Sequence, residues 1–163
     1  MSATIDAAKL LRPGLLDGVH VVVAGAPPPA EGGDTTASAR RERLADAVAS
    51  TSAELGARGS GWGPGDAVAA DVDQLVVDAA GLFAAAGEAG PGRSGARAAL
   101  NACLDGAWEA TRAVASAAFI DAGRAGRVVY LAPASSADGS QGAAHADAAR
   151  AGLENLARTL SVE

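Results

Sequence analysis

Few side chains in this chain have the type and spacing for chemistry. His145 stands two residues before Asp147, His20 lies far upstream, and Ser135 and Ser136 fall in a segment rich in Ser, Asp and Gly. A histidine with a carboxylate and a serine is the material of a hydrolytic triad, and with more ligands that of a metal site. The two histidines are far apart in sequence and no Gly-x-Ser-x-Gly elbow accompanies them, so neither is supported and no metal is expected. His20 falls inside an apolar run and is expected to be a satisfied core or edge residue. Ser135 and Ser136 have the composition of a turn, and Tyr130 belongs to a strand. Cys103 is the only cysteine, which excludes an internal disulfide and a multi-cysteine metal site. No basic neighbour is there to lower its pKa, so it is expected to be a buried, inert thiol.

The elements that must position these residues alternate between strand and helix. Residues 1–17 are an N-terminal lead-in, stopped by Pro13 and Gly14. The β-branched run from Val19 to Gly25 predicts a strand buried on both faces of a parallel sheet. The prolines at 27–29 force loop geometry. A helix is expected from about Thr36 to Leu55, ended by Gly56. Gly59 to Gly65 reads as a flexible link, and Ala67 to Val72 as the remnant of a strand. A second buried strand is predicted over Leu75 to Gly81 and a third over Arg127 to Ala132. Long helices are predicted from about Ser94 to Asp121 and Gly142 to Val162, the first with an apolar stripe through Leu100, Leu104 and Trp108. The expected class is α/β: a Rossmann-like three-layer sandwich, with a reduced parallel sheet flanked by helices, forming a single domain over 1–163.

Composition narrows the function classes. The 163 residues are 49% apolar but only 3% aromatic, so the core must form by close approach of small side chains. A net charge of −6 with scattered arginines argues against nucleic acid, whose phosphates need clustered basic residues. No uncharged run reaches the roughly 18 residues of a membrane helix, and the N-terminus lacks the basic-then-apolar order of a signal peptide. No membrane association and a cytoplasmic location are expected.

The last third, from Gly126 to Glu163, together with Leu100-Asn101-Ala102, resembles the second half of a short-chain dehydrogenase/reductase. In that family a helix carrying an Asn leads into G-R-I-V-x-I-S-S and then into a helix of the form Y-x-x-x-K-A-G-L. Aligned on Ala151-Gly152-Leu153, the family's Lys falls on Arg150 and its Tyr on Ala146; aligned on Val128-Val129, its Ser falls on Pro133. Asn101 matches the family's Asn. Hydride transfer there uses the Tyr, lowered in pKa by the Lys, and the Ser; Pro133 and Ala146 supply no hydroxyl. Asn101 is thus a remnant, with Ser135, His145 and Arg150 as weak substitutes.

The family's cofactor loop, T-G-x-x-x-G-x-G, keeps only its opening at Ala24-Gly25. Pro29 removes an N–H, and Glu31 brings negative charge where a pyrophosphate would lie. Gly81 retains the tight turn of the family's N-N-A-G. Between Gly56 and Leu75 only residues 57–74 stand where the family fits two strands and two helices, too few to build the adenosine half of the site. Gly25 and Gly81 are therefore cofactor remnants, and no cofactor is expected.

In the resembling enzymes the Asn helix and the Tyr/Lys helix pair with the same helices of a second subunit. Leu104, Trp108, Phe119, Ala149, Gly152 and Leu156 are the corresponding interface candidates. The resemblance implies a non-catalytic subunit that pairs with a catalytically intact dehydrogenase-like partner, or with itself, and stabilises an oxidoreductase complex. Two alternatives stand beside it: a divergent oxidoreductase using NAD or NADP through an atypical site, and a Rossmann-like module that binds a small ligand at the strand ends.

Overall fold

The computed structural model describes residues 11–25, 46–87, 92–134 and 141–161. In chain order the elements are β1 (His20–Ala24), helix α1 over 46–54, β2 (Arg58–Trp62), β3 (Gln74–Val77), α2 (Ala79–Gly87), α3 (Gly92–Val114), β4 (Arg127–Tyr130) and α4 (Gln141–Leu160). The last turns of α3 widen into a π-helix over Ala115–Ile120, where the Asp121 N–H donates to Ser116 O at 2.8 Å. The four strands form one sheet in the order β2-β1-β3-β4, parallel at every pairing. The protein is thus an α/β, Rossmann-like three-layer sandwich.

Alternation along the strands sorts the two faces. Val22, Ala24, Leu75 and Val77 point to one side, where Cys103, Ala107, Ala110, Val114, Ala149 and Leu153 of α3 and α4 cover them. Val21 and Val76 point to the other, under Val48 of α1 and Leu16 of the lead-in. Small residues allow this close fit, as the composition predicts. A Cβ on Gly152 would lie 2.6 Å from Leu104 Cδ2, and one on Gly106 would lie 2.8 Å from Leu82 Cδ1. Gly126 leaves the space that the Phe119 ring occupies.

Gly56 ends α1 as expected, in the left-handed region at φ +96°. Its N–H donates to Ala53 O at 3.0 Å, and the Ala57 N–H reaches back to Ser52 O at 2.9 Å. That pair of bonds is a Schellman cap, which turns the chain into β2.

The structure corrects the expectation for 57–74 in two ways. The supposed flexible link contains β2, in register with β1 from His20↔Arg58 to Ala24↔Trp62. The supposed strand remnant at 67–72 carries no strand. Local preference for strand is weak in Arg-Gly-Ser-Gly-Trp, but the outer edge of β1 offers a full row of backbone partners and Trp62 packs onto the core. The second predicted strand is also shorter than expected. It stops at Val77, because Asp78 turns to cap α2.

Candidate functional site

In an open parallel sheet, ligands bind outside the carboxyl ends of the strands, where neighbouring connections leave in opposite directions. Here that point lies between β1 and β3, whose neighbours in the sheet are β2 on one side and β4 on the other. Gly25 follows β1 and Asp78 follows β3. The Asp78 N–H donates to Ala24 O at 2.7 Å, and Asp78 Oδ1 accepts from the Gly81 N–H at 2.8 Å. Asp78 is only 4% exposed, and burial holds its carboxyl above the ordinary range against the lowering effect of the Gly81 N–H.

Both supposed cofactor remnants lie against this carboxylate. A Cβ on Gly25 would lie 3.1 Å from Asp78 Cβ, and one on Gly81 would lie 2.7 Å from Asp78 Oδ2. The two glycines are explained by packing around Asp78, with no pyrophosphate required. Beside Gly25 is a cleft with mostly apolar walls, among them Trp62, Pro64, Val77 and Leu82, with Glu109 the charged residue in its lining. Its mouth is shaped by a turn: the Trp62 Nε1–H donates to Asp66 O at 3.2 Å, and the Gly63 N–H donates to Asp66 Oδ2 at 2.8 Å. Glu109 in this lining disfavours a phosphate, and the cleft's volume of about 30 Å³ is that of a single water molecule.

The Asp78 environment gives a pH-dependent prediction. A carboxyl whose folded pKa lies above its ordinary 3.8 opposes folding once it ionises. The penalty is absent below 3.8, sets in as pH rises through that value, and is complete above the raised one. Asp78→Asn keeps an acceptor for the Gly81 N–H and sheds the charge. It is expected to melt above the wild type at pH 7, with the two curves converging near pH 3. Asp78→Ala removes the cap and is expected to cost about 1 kcal/mol. Thermal unfolding of both variants at the two pH values checks this.

The catalytic candidates do not converge. Asn101 is exposed on α3, and His145 is half-buried on α4. Ser135 and Ser136 lie outside the described residues. Arg150 donates to Asp147 Oδ1 at 3.1 Å on its own helix. It shares a groove with Val128, Tyr130 and Glu154, but Asn101 and His145 do not line that groove. The Tyr130 hydroxyl is engaged by Thr111 Oγ1 at 2.7 Å, and Thr111 itself donates to Ala107 O at 2.7 Å, so Tyr130 is the donor. Burial pushes the Tyr130 hydroxyl up. Pro133 and Ala146 are buried. Cys103 is fully buried and its thiol is pushed up to about 11 by burial, which keeps it a thiol at neutral pH.

Of the six interface candidates, Trp108 alone is exposed, at 50%. Leu104 and Gly152 pack against each other, and Phe119 fills the space over Gly126. Leu156 packs against the core and Ala149 is fully buried in it. These five hold α3 and α4 onto the chain's own sheet.

Sequence reasoning missed one polar cluster, at the opposite ends of the strands. His20 is 6% exposed; its Nε2 lies 2.9 Å from Ser60 Oγ and its Nδ1 lies 3.2 Å from Asp71 Oδ1. Arg58 Nη2 lies 2.7 Å from the same Nδ1 and also bonds Asp71 Oδ2. Arg58 and then His20 hold the Asp71 carboxyl below the usual carboxylate range. The His20 N–H donates to Asp73 Oδ2 at 2.8 Å, and Arg124 bonds Asp73 Oδ1 at 2.5 Å. The glycines of Arg58–Trp62 give Ser60 the composition of a link, and only the pairing with β1 brings it beside His20.

Among the described residues no group of three or more His, Cys, Asp or Glu could hold a metal ion, and no helix is long and apolar enough to cross a membrane. Compared with protein-family models, curated proteins and solved structures, the chain matches none.

Proposed function

We propose that the chain is a non-catalytic, dehydrogenase-like subunit that pairs through the outer faces of α3 and α4 with a second subunit of the same architecture. That partner is a catalytically intact relative or another copy of this chain, and the pairing stabilises an oxidoreductase complex. The observation that carries this is the exposed row on α3 formed by Asn101, Asp105, Trp108 and Arg112. A half-exposed tryptophan in the middle of a polar helix face is the residue type that anchors interfaces.

The row is also self-complementary. Two such helices crossing antiparallel beside Trp108 bring each Asp105 opposite the other's Arg112, with the indoles stacked between. On α4 the exposed residues Ala144, Ala148 and Ala151 permit close approach of a neighbouring helix. An isologous contact of this kind serves equally for a paralogue that keeps the same helices. Pro133, Ala146 and the paired Arg150 offer no proton relay for hydride transfer. Asp78 and Glu109 disfavour a dinucleotide, which weighs against the NAD(P)-dependent alternative. The small-ligand reading requires the cleft at Trp62 and Pro64 to open well beyond its present volume, and a bound small molecule without turnover would support it.

The native mass of the complex captured from its own cells is the test. A mixed assembly with a dehydrogenase subunit, or a homodimer at twice 15.8 kDa, is expected. Trp108→Glu should weaken the association about 30-fold, the equivalent of about 2 kcal/mol at an interface anchor. A lone monomer at micromolar concentration would sink the proposal.

A further inference from the structure

We propose that Ser60 is a latent acyl-accepting nucleophile, with His20 as its base, Asp71 positioning the imidazole and Arg58 gating it, and that the site takes small carboxylic esters bearing an anionic group. The base and its partners lie toward the amino ends of the strands, with Ser60 two residues before Trp62 of the cleft, and the site concerns acyl chemistry, separate from the hydride transfer and the pairing considered above.

Its residues come from three segments that the fold brings together: His20 opens β1, Ser60 lies in β2, and Asp71 lies in the crossover before β3. Ser60 Oγ lies 2.9 Å from Nε2, within hydrogen-bond reach of a base, and Asp71 Oδ1 lies 3.2 Å from Nδ1, near enough to orient the imidazole once Nδ1 carries a proton. The imidazole is buried, whereas Ser60 is exposed on a strand that pairs only with β1 among the described residues. That exposure leaves the Ser60 Oγ accessible to a substrate carbonyl. The Arg58 N–H donates to Val19 O at 2.9 Å. By alternation along a parallel strand, the N–H groups of Gly59 and Gly61 face away from β1. The Gly61 N–H, next to the nucleophile, is the donor placed for a developing oxyanion.

Arg58 sets the resting state. A guanidinium only donates, so with Arg58 Nη2 at 2.7 Å the imidazole presents a lone pair at Nδ1 and its proton at Nε2, aimed at Ser60 Oγ. In that tautomer His20 cannot take the serine proton. When Arg58 withdraws, Asp71 Oδ1 becomes the acceptor of an Nδ1 proton and Nε2 faces Ser60 as a base. The Arg58 side chain is 61% exposed although paired with Asp71, and a substrate carboxylate supplies a competing partner that draws it away. Ser60 Oγ then bonds to the ester carbonyl carbon while its proton passes to Nε2. The ester C–O bond breaks, and the alcohol leaves with that proton. Water attacks the acyl-serine, again giving its proton through Nε2, and the carboxylic acid is released with Ser60 restored.

The test is acylation of the full chain by the p-nitrophenyl monoester of succinic acid and by neutral p-nitrophenyl acetate, followed by p-nitrophenol release and peptide mass spectrometry. The wild type should acylate at Ser60 with the anionic ester about tenfold faster than with the neutral one. Arg58→Ala should raise the rate with the neutral ester about tenfold and abolish the preference, because the gate is gone. Asp71→Asn in the Arg58→Ala background should lower the rate about 100-fold while acylation stays at Ser60. His20→Gln gives the same loss provided its circular dichroism matches the wild type. An adduct at any other residue, or an Arg58→Ala rate equal to that of Arg58→Ala/Ser60→Ala, overturns the proposal.

Discussion

Leu75→Ala is expected to lower the unfolding free energy by about 3 kcal/mol, read from the shift in a denaturant midpoint at constant slope. Leu75 has no exposed surface and sits in β3, an interior strand, with Val22 of β1 and Val128 of β4 as its register partners. Its side chain points into the layer formed by α3 and α4. Among the described residues the core is short of large side chains, with Leu75 the largest of those fully buried and most of its neighbours Val or Ala. Small neighbours on a rigid sheet cannot collapse into the space, so both the transfer and the cavity contributions should appear. A cost below about 1 kcal/mol would mean that the helical layer does not seal this face of the sheet.

Gly126→Ala is expected to cost about 2 kcal/mol by overpacking. The added methyl meets the Phe119 ring along its Cε1, Cδ1 and Cζ edge, a rigid group with no flexible end to swing aside. Phe119 stands in the π-turn, and the chain beyond it is tied back by the Arg124 N–H to Phe119 O bond at 2.8 Å. Neither side can yield alone. The check is a double-mutant cycle: in a Phe119→Leu background the Gly126→Ala cost should fall by about 1 kcal/mol or more. Additive effects would place the ring elsewhere.

These two positions also show what the sequence carried. Strands written as β-branched runs were legible from Val19 and Arg127 onward; in the first, burial on both faces removes the need for alternation. The helices over Gly92–Val114 and Gln141–Leu160 were legible from their apolar stripes. Two elements were not. Arg58–Trp62 becomes a strand through pairing with β1, which its own glycines argue against. Ala79–Gly87 reads as the tail of a strand until Asp78 is recognised as its cap; an aspartate before three small residues was the available signal.

The candidate site was legible only as departures from a pattern. Gly25 and Gly81 were visible as glycines, but their reason, the close approach to Asp78, is tertiary. The meeting of His20, Ser60 and Asp71 joins residues up to 51 positions apart, and no local pattern reports such a contact.

All four strands run in the same direction, and this governs how the chain reaches its fold. The first register pairs, His20↔Arg58, Val21↔Gln74 and Gln74↔Arg127, join residues distant along the chain, so among the described residues no hairpin is available to start the sheet. Every ladder must wait for the closure of a long loop, whose entropy is lost before any pairing rewards it. Helices α3 and α4 can form early from local contacts, while β1 and β3 remain unpaired apolar runs. The slow step is therefore the docking of distant strands onto a preformed helical layer, and during that interval the valine-rich β1 is the segment most exposed to pairing with the wrong chain.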